Sequence, residues 1–88
     1  MASYLITYDL NSPGQNYNDL YTVIKGLGTW WHCLDSTWII KSNLTAVQIR
    51  DSLSAKIDKN DSLLVASISS AAWKGFSADC SDWLKKNL

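Results

Sequence analysis

The side chain best placed to do chemistry in this sequence is an aspartate that closes an alternating apolar segment. Asp9 ends the run Tyr4-Leu5-Ile6-Thr7-Tyr8-Asp9, so its carboxylate stands at a strand end. There a hard oxygen ligand can hold Mg²⁺ or Mn²⁺ and serve hydrolysis of a phosphodiester. Asn11 and Ser36 can complete a polar lining by donating hydrogen bonds to a phosphate. His32 is the only histidine, and its ordinary titration range suits it to acid or base work. Each has a plain structural use as well. Asp9 can cap the Asn-Ser-Pro-Gly turn after it, Asn11 and Ser36 can serve turns and bends, and a histidine between Trp31 and Cys33 in a strand is usually a surface or interface residue. Trp30, Trp31 and Trp38 offer stacking platforms for bases at ~1–3 kcal/mol each if a basic groove aligns them. Packing in a core or a dimer interface is the competing use of the same rings.

The elements that must position these residues follow from spacing. Ser3 to Leu10 alternates, with Tyr4, Ile6, Tyr8 and Leu10 on one face and Leu5, Thr7 and Asp9 on the other, which predicts a strand. Asn11 to Gln15 has loop composition. A helix follows, with Asn16 and Asp19 at its start, Tyr17, Leu20, Tyr21, Ile24 and Leu27 at helical spacing, and Gly28 as its stop. Thr29 to Ser42, interrupted near Leu34-Asp35-Ser36, reads as two strands joined by a tight bend. Thr45 and Gln48 form a capping-box pattern ahead of a helix striped by Ile49, Leu53 and Ile57. Ser62 to Ile68 is nearly continuously apolar, the pattern of an interior strand covered on both faces. A short last helix is predicted up to Leu88, capped by Asp79 and Asp82 and anchored by Trp83 and Leu84, with Trp73, Phe76 and Trp83 fastening the tail to the domain or its partner.

Eighty-eight residues leave room for one core, so residues 1–88 read as one domain with a core over about 3–68 and a tail over 69–88. Lys and Arg number eight, as do Asp and Glu, and without a basic run the chain has no field for general nucleic-acid coating. No apolar stretch approaches membrane-spanning length, and the N-terminus lacks the pattern of a secretory signal. Cys33 and Cys80 fit neither a CxxC pair nor a zinc spacing and are read as reduced structural thiols, with a cytoplasmic setting as the expectation. The element order is β-α-β-β-α-β plus a helical tail. It predicts an α+β, ferredoxin-like sandwich with an antiparallel sheet, the first and last strands side by side at its centre, and both helices on one face. The other face, with Leu5 and Thr7, then needs cover, which a homodimer would supply.

The opening Tyr4-Leu5-Ile6-Thr7-Tyr8-Asp9-Leu10, the helix ending in Leu27-Gly28, the Asp35-Ser36-Thr37-Trp38 strand pair and Asp61-Ser62-Leu63-Leu64-Val65 resemble the small CRISPR-associated endoribonuclease family and its VapD-like relatives. The resemblance spans roughly residues 3 to 68, in the same order. It implies a ferredoxin-like homodimer paired through its sheets. It also implies that Asp9 meets its twofold mate beneath the dimer, with Ser36 matching a recurrent serine. Nucleic acid or a nucleotide is the implied partner, and one Mg²⁺ or Mn²⁺ between the two carboxylates the implied cofactor. The alternative class is a catalytically silent homodimer used as an interaction or regulatory module.

Overall fold

Alternation in the first segment produces strand β1 (Ala2–Asp9), which a computed structural model of the chain places inside a four-stranded sheet. The structure describes residues 1–11 and 16–88; the predicted loop residues 12–15 lie outside them. After β1 come α1 (Asn18–Gly26), β2 (Thr29–Leu34), β3 (Thr37–Ser42), α2 (Ala46–Ser54), β4 (Ser62–Ile68) and α3 (Ala78–Asn87). The sheet order is β2-β3-β1-β4 and every pairing is antiparallel, so the chain is an α+β protein. β1 and β4 are neighbours as expected, but β4 lies at the edge and β3 takes the second central place. The apolar run of β4 therefore does not mark an interior strand: Ser62, Leu64 and Ser67 are exposed.

One face of the sheet is buried under α1 and α2. Tyr4, Ile6 and Tyr8 of β1 and Trp38 and Ile40 of β3 meet Leu20 and Ile24 of α1 and Ile49 and Leu53 of α2. A fully buried side chain of this kind contributes about 1.5–3 kcal/mol, which makes this layer the main source of stability. The capping box of α2 forms in both directions: Gln48 N–H donates to Thr45 Oγ1 at 3.2 Å and Thr45 N–H to Gln48 Oε1 at 2.9 Å. Other termini differ from expectation. Tyr17 holds the N-cap position of α1 without a side-chain cap, while Asn16 Oδ1 accepts from Asn18 N–H at 2.9 Å. Ser77, not Asp79 or Asp82, caps α3 through Cys80 N–H. Gly28 has no positive φ; a Cβ there would run into the Lys41 carbonyl of β3, so close approach of the chain, not a left-handed stop, requires glycine.

The opposite face carries Leu5 of β1, Trp31 and Cys33 of β2, Ile39 of β3 and Ile68 of β4. The tail packs onto it through Trp73, Phe76, Cys80, Trp83, Leu84 and Leu88. Trp31 Nε1–H donates to the Cys80 carbonyl at 3.1 Å, Phe76 meets Trp31 edge-on at 5.2 Å, and Ser3 Oγ–H donates to the Asn87 carbonyl at 2.9 Å. Cys33 and Cys80, expected to be reduced, form a disulfide across 47 residues of sequence. The expectation rested on spacing, yet cysteines far apart in sequence meet when a tail folds back over a strand. Cover for this face, which the sequence assigned to a second subunit, comes substantially from the chain's own C-terminus.

Candidate functional site

Both residues singled out for catalysis lie at one end of the sheet. The Asp35-Ser36 turn between β2 and β3 closes against the end of β1: Tyr8 N–H donates to the Ser36 carbonyl at 3.2 Å, and Thr7 Oγ1–H donates to the same oxygen at 3.2 Å. Antiparallel pairing forces this juxtaposition, because Thr7 opposes Thr37. Asp9 stands one residue beyond, exposed and opposite Ser62. Its main-chain oxygen accepts from Asn11 Nδ2 at 3.4 Å, and its carboxylate makes no hydrogen bond or ion pair among the described residues. Thr7, Asp9, Ser62 and Leu64 rim a shallow open depression of about 280 Å³. The Asn-Ser-Pro-Gly turn that Asp9 is expected to cap begins at Asn11, and the rest of it lies outside the described residues.

Asn11 is committed elsewhere, and with it a residue that sequence reasoning missed. The Asp61 carboxylate accepts from Asn11 N–H at 2.7 Å, from Asp58 N–H at 2.8 Å and from the Tyr17 hydroxyl at 2.9 Å. Asn11 Nδ2 also donates to the Asn60 carbonyl at 3.0 Å. Asp61 thereby ties the loop before β4 to the start of the β1–α1 connection. Partial desolvation pushes its carboxyl up, and the donors from Asn11, Asp58 and Tyr17 outweigh this and hold it below its ordinary value. The signal available in sequence was weak: an aspartate just before a strand is common in turns.

The aromatic candidates are mostly structural. Trp31 and Trp38 are buried; His32 lies flat on Trp38 at 3.7 Å. His32 Nε2 is 3.1 Å from the Asp35 carbonyl, and since that oxygen only accepts, Nε2 carries the proton in this contact. Trp38 Nε1–H donates to the Tyr8 hydroxyl at 3.0 Å, whose ionisation burial pushes upward despite that bond. Trp30 alone of these three indoles is well exposed, with Lys25 Nζ 5.0 Å above its ring.

The donors around Asp9 are carboxylate and hydroxyl oxygens, the chemistry that suits Mg²⁺ or Mn²⁺. Within one chain they are too few: no group of three His, Cys, Asp or Glu forms among the described residues. A second copy of Asp9 would supply the missing carboxylate. No helix among the described residues is long and apolar enough to cross a membrane. No protein-family model matches the sequence, and neither the curated proteins nor the solved structures contain a significant match.

Proposed function

We propose that this chain is a ferredoxin-like homodimer of the CRISPR-associated endoribonuclease and VapD-like type, in which the Asp9 carboxylates of two copies serve metal-dependent cleavage of a phosphodiester. The β2-β3-β1-β4 order, antiparallel throughout and with both crossover helices on one face, supports the ferredoxin-like reading. The observation that carries the site is a strand-end carboxylate with no hydrogen bond or ion pair among the described residues, beside a Leu64 that is 57% exposed. Two such carboxylates brought together repel unless a cation neutralises them. The cation, Mg²⁺ or Mn²⁺, would supply charge neutralisation and polarisation of the phosphodiester. Asp9 would hold it, and Ser36, on the adjoining turn, would donate a hydrogen bond to the phosphate. Balanced charge restricts the substrate to a nucleotide or a short stretch of RNA or DNA held at the site, without a long electrostatic track.

Asp9→Asn tests this, because it keeps size and turn-forming ability while removing the charge. The wild type is expected to form a dimer by light scattering, to bind Mn²⁺ by calorimetry and to cleave RNA or DNA. The variant should keep fold and mass and lose metal binding and cleavage. A wild type inert to metal and to a panel of single- and double-stranded substrates sinks the enzyme reading.

The cis-docked tail favours a second reading, an interaction or regulatory module. It occupies the face through which two sheets would pair, meeting Leu5 of β1 and Ile68 of β4 as well as Trp31 and Ile39, and is fastened there by the disulfide. A cytoplasmic setting, the sequence-based expectation, would leave that bond open to reduction, and the tail would then rest on packing and hydrogen bonds alone.

A further inference from the structure

The tail and the sheet face beneath it do not close on each other completely. Between them lies an apolar cleft of about 200 Å³. Leu5 of β1, Trp31 of β2 and Thr37 and Ile39 of β3 form its floor, while Ala72, Trp73, Lys74, Phe76 and Leu84 of the tail form its wall. Gly75 has a φ of +87°, a conformation that glycine adopts without steric cost. The tail can therefore turn between Trp73 and Phe76 and set both rings on the same sheet face. Its position is fixed at two places: Cys80 is bonded to Cys33, and the Asn87 carbonyl accepts from Ser3 Oγ–H at 2.9 Å. A cleft framed in this way exists before anything enters it, which lowers the cost of binding.

The polar side-chain atoms of the lining define what fits. Trp31 Nε1–H is taken by the Cys80 carbonyl at 3.1 Å, Trp73 Nε1–H by Ser81 Oγ at 3.1 Å, and Thr37 Oγ1 lies 3.3 Å from Thr7 Oγ1. Both indoles therefore offer carbon surface to the cleft. Lys74 differs. It is exposed, it is the one charged residue in the lining, and it makes no ion pair among the described residues.

We propose that this cleft binds a small aromatic monocarboxylate, with the ring against Trp31, Trp73 and Phe76 and the carboxylate on the Lys74 ammonium. Volume sets the size: an apolar cavity of about 150 Å³ takes up benzene, so the cleft holds one ring with a short acid arm. Drug-sized molecules need roughly 300–1,000 Å³. The walls set the shape, since three aromatic side chains favour a ring that meets them by face or edge over a saturated group of equal size. Lys74 sets the charge. One cation beside apolar walls matches one negative charge, whereas a phosphate dianion would leave charge unpaired against carbon surface. Asp9 does not line the cleft, so this site stands apart from the phosphodiester reading.

Phenylacetate, its uncharged isostere phenylacetamide and the non-aromatic cyclohexylacetate separate these requirements, read by NMR of the indole N–H groups in the oxidised wild type. Phenylacetate should shift Trp31 and Trp73 saturably with a Kd on the order of 1 mM, as a ligand of about ten heavy atoms allows. Both analogues should bind about two- to fivefold more weakly. Lys74→Gln should bring phenylacetate down to the level of phenylacetamide, with the melting curve unchanged because the side chain is exposed. Ala72→Phe, at an exposed position on the wall, should fill the cleft and weaken every probe at least ~tenfold. Asp9→Asn should bind phenylacetate as the wild type does, so failure here is distinguishable from failure of the phosphodiester reading. Shifts that do not saturate, or that appear equally at Trp30 beside Trp38, would overturn the proposal. So would equal affinity for phenylacetate and either analogue, or a Lys74→Gln variant that keeps the preference for the acid.

Discussion

The two faces of the sheet are held by different means. Under α1 and α2, nine side chains form a continuous buried cluster, and stability there comes from apolar burial spread over many contacts. Under the tail, three buried residues anchor the layer, and a covalent link fastens it. The first layer is a core. The second is a strap, whose single turn-and-helix element gains little from helix propensity alone. A small domain with one strong layer has little reserve, since about 0.05–0.15 kcal/mol per residue is typical.

The largest expected effect tests the helix-covered face. Trp38→Ala should cost ~3–5 kcal/mol, because Trp38 is buried and also donates to Tyr8. Denaturant titration should find the midpoint of the variant far below that of the wild type; a loss under about 1 kcal/mol would contradict the burial-based account of this layer. The disulfide tests the other face. Chain-entropy arithmetic for a 47-residue separation gives about 4 kcal/mol, with ~2–4 typical. Replacing Cys33 and Cys80 by Ser should lower Tm in non-reducing buffer, and reductant should then have no further effect. Equal melting of wild type with and without reductant, the bond having been shown to break, would mean that the strap holds by packing alone.

The smallest effect concerns the loops that close the helix-covered layer. The Asp61 carboxyl is held below its ordinary value, so the fold favours its ionised form. Its contribution is complete above the unfolded range near pH ~4 and is lost as pH falls through the folded value. Asp61→Asn should therefore be less stable than the wild type at neutral pH, with the gap narrowing below pH ~4. A gap independent of pH would show that the carboxylate's charge is not what ties the loops together.

Local pattern made much of the fold legible. The alternation around Ile6, the helical stripe of Leu20 and Ile24, and the Thr45-Gln48 box all act within a few residues, and each appears where its spacing puts it. At the site, sequence picked out Asp9 as a strand-end carboxylate, and the register of β1 with β3 brought Ser36 to the same end. The Asp61 cluster was not legible, because Asn11 and Tyr17 reach the carboxylate from a segment far away in the chain and join the local Asp58 N–H there.

What the sequence determined by itself was the order of elements, the faces of β1 and the chemistry available at its end, since these depend on side-chain type and short-range periodicity. Tertiary structure alone decided that β4 lies at an edge, because an apolar run does not say how many neighbours a strand has. It alone decided that the tail covers the second face and that Cys33 meets Cys80. Both depend on where the chain's last residues return in space, and no local preference encodes that.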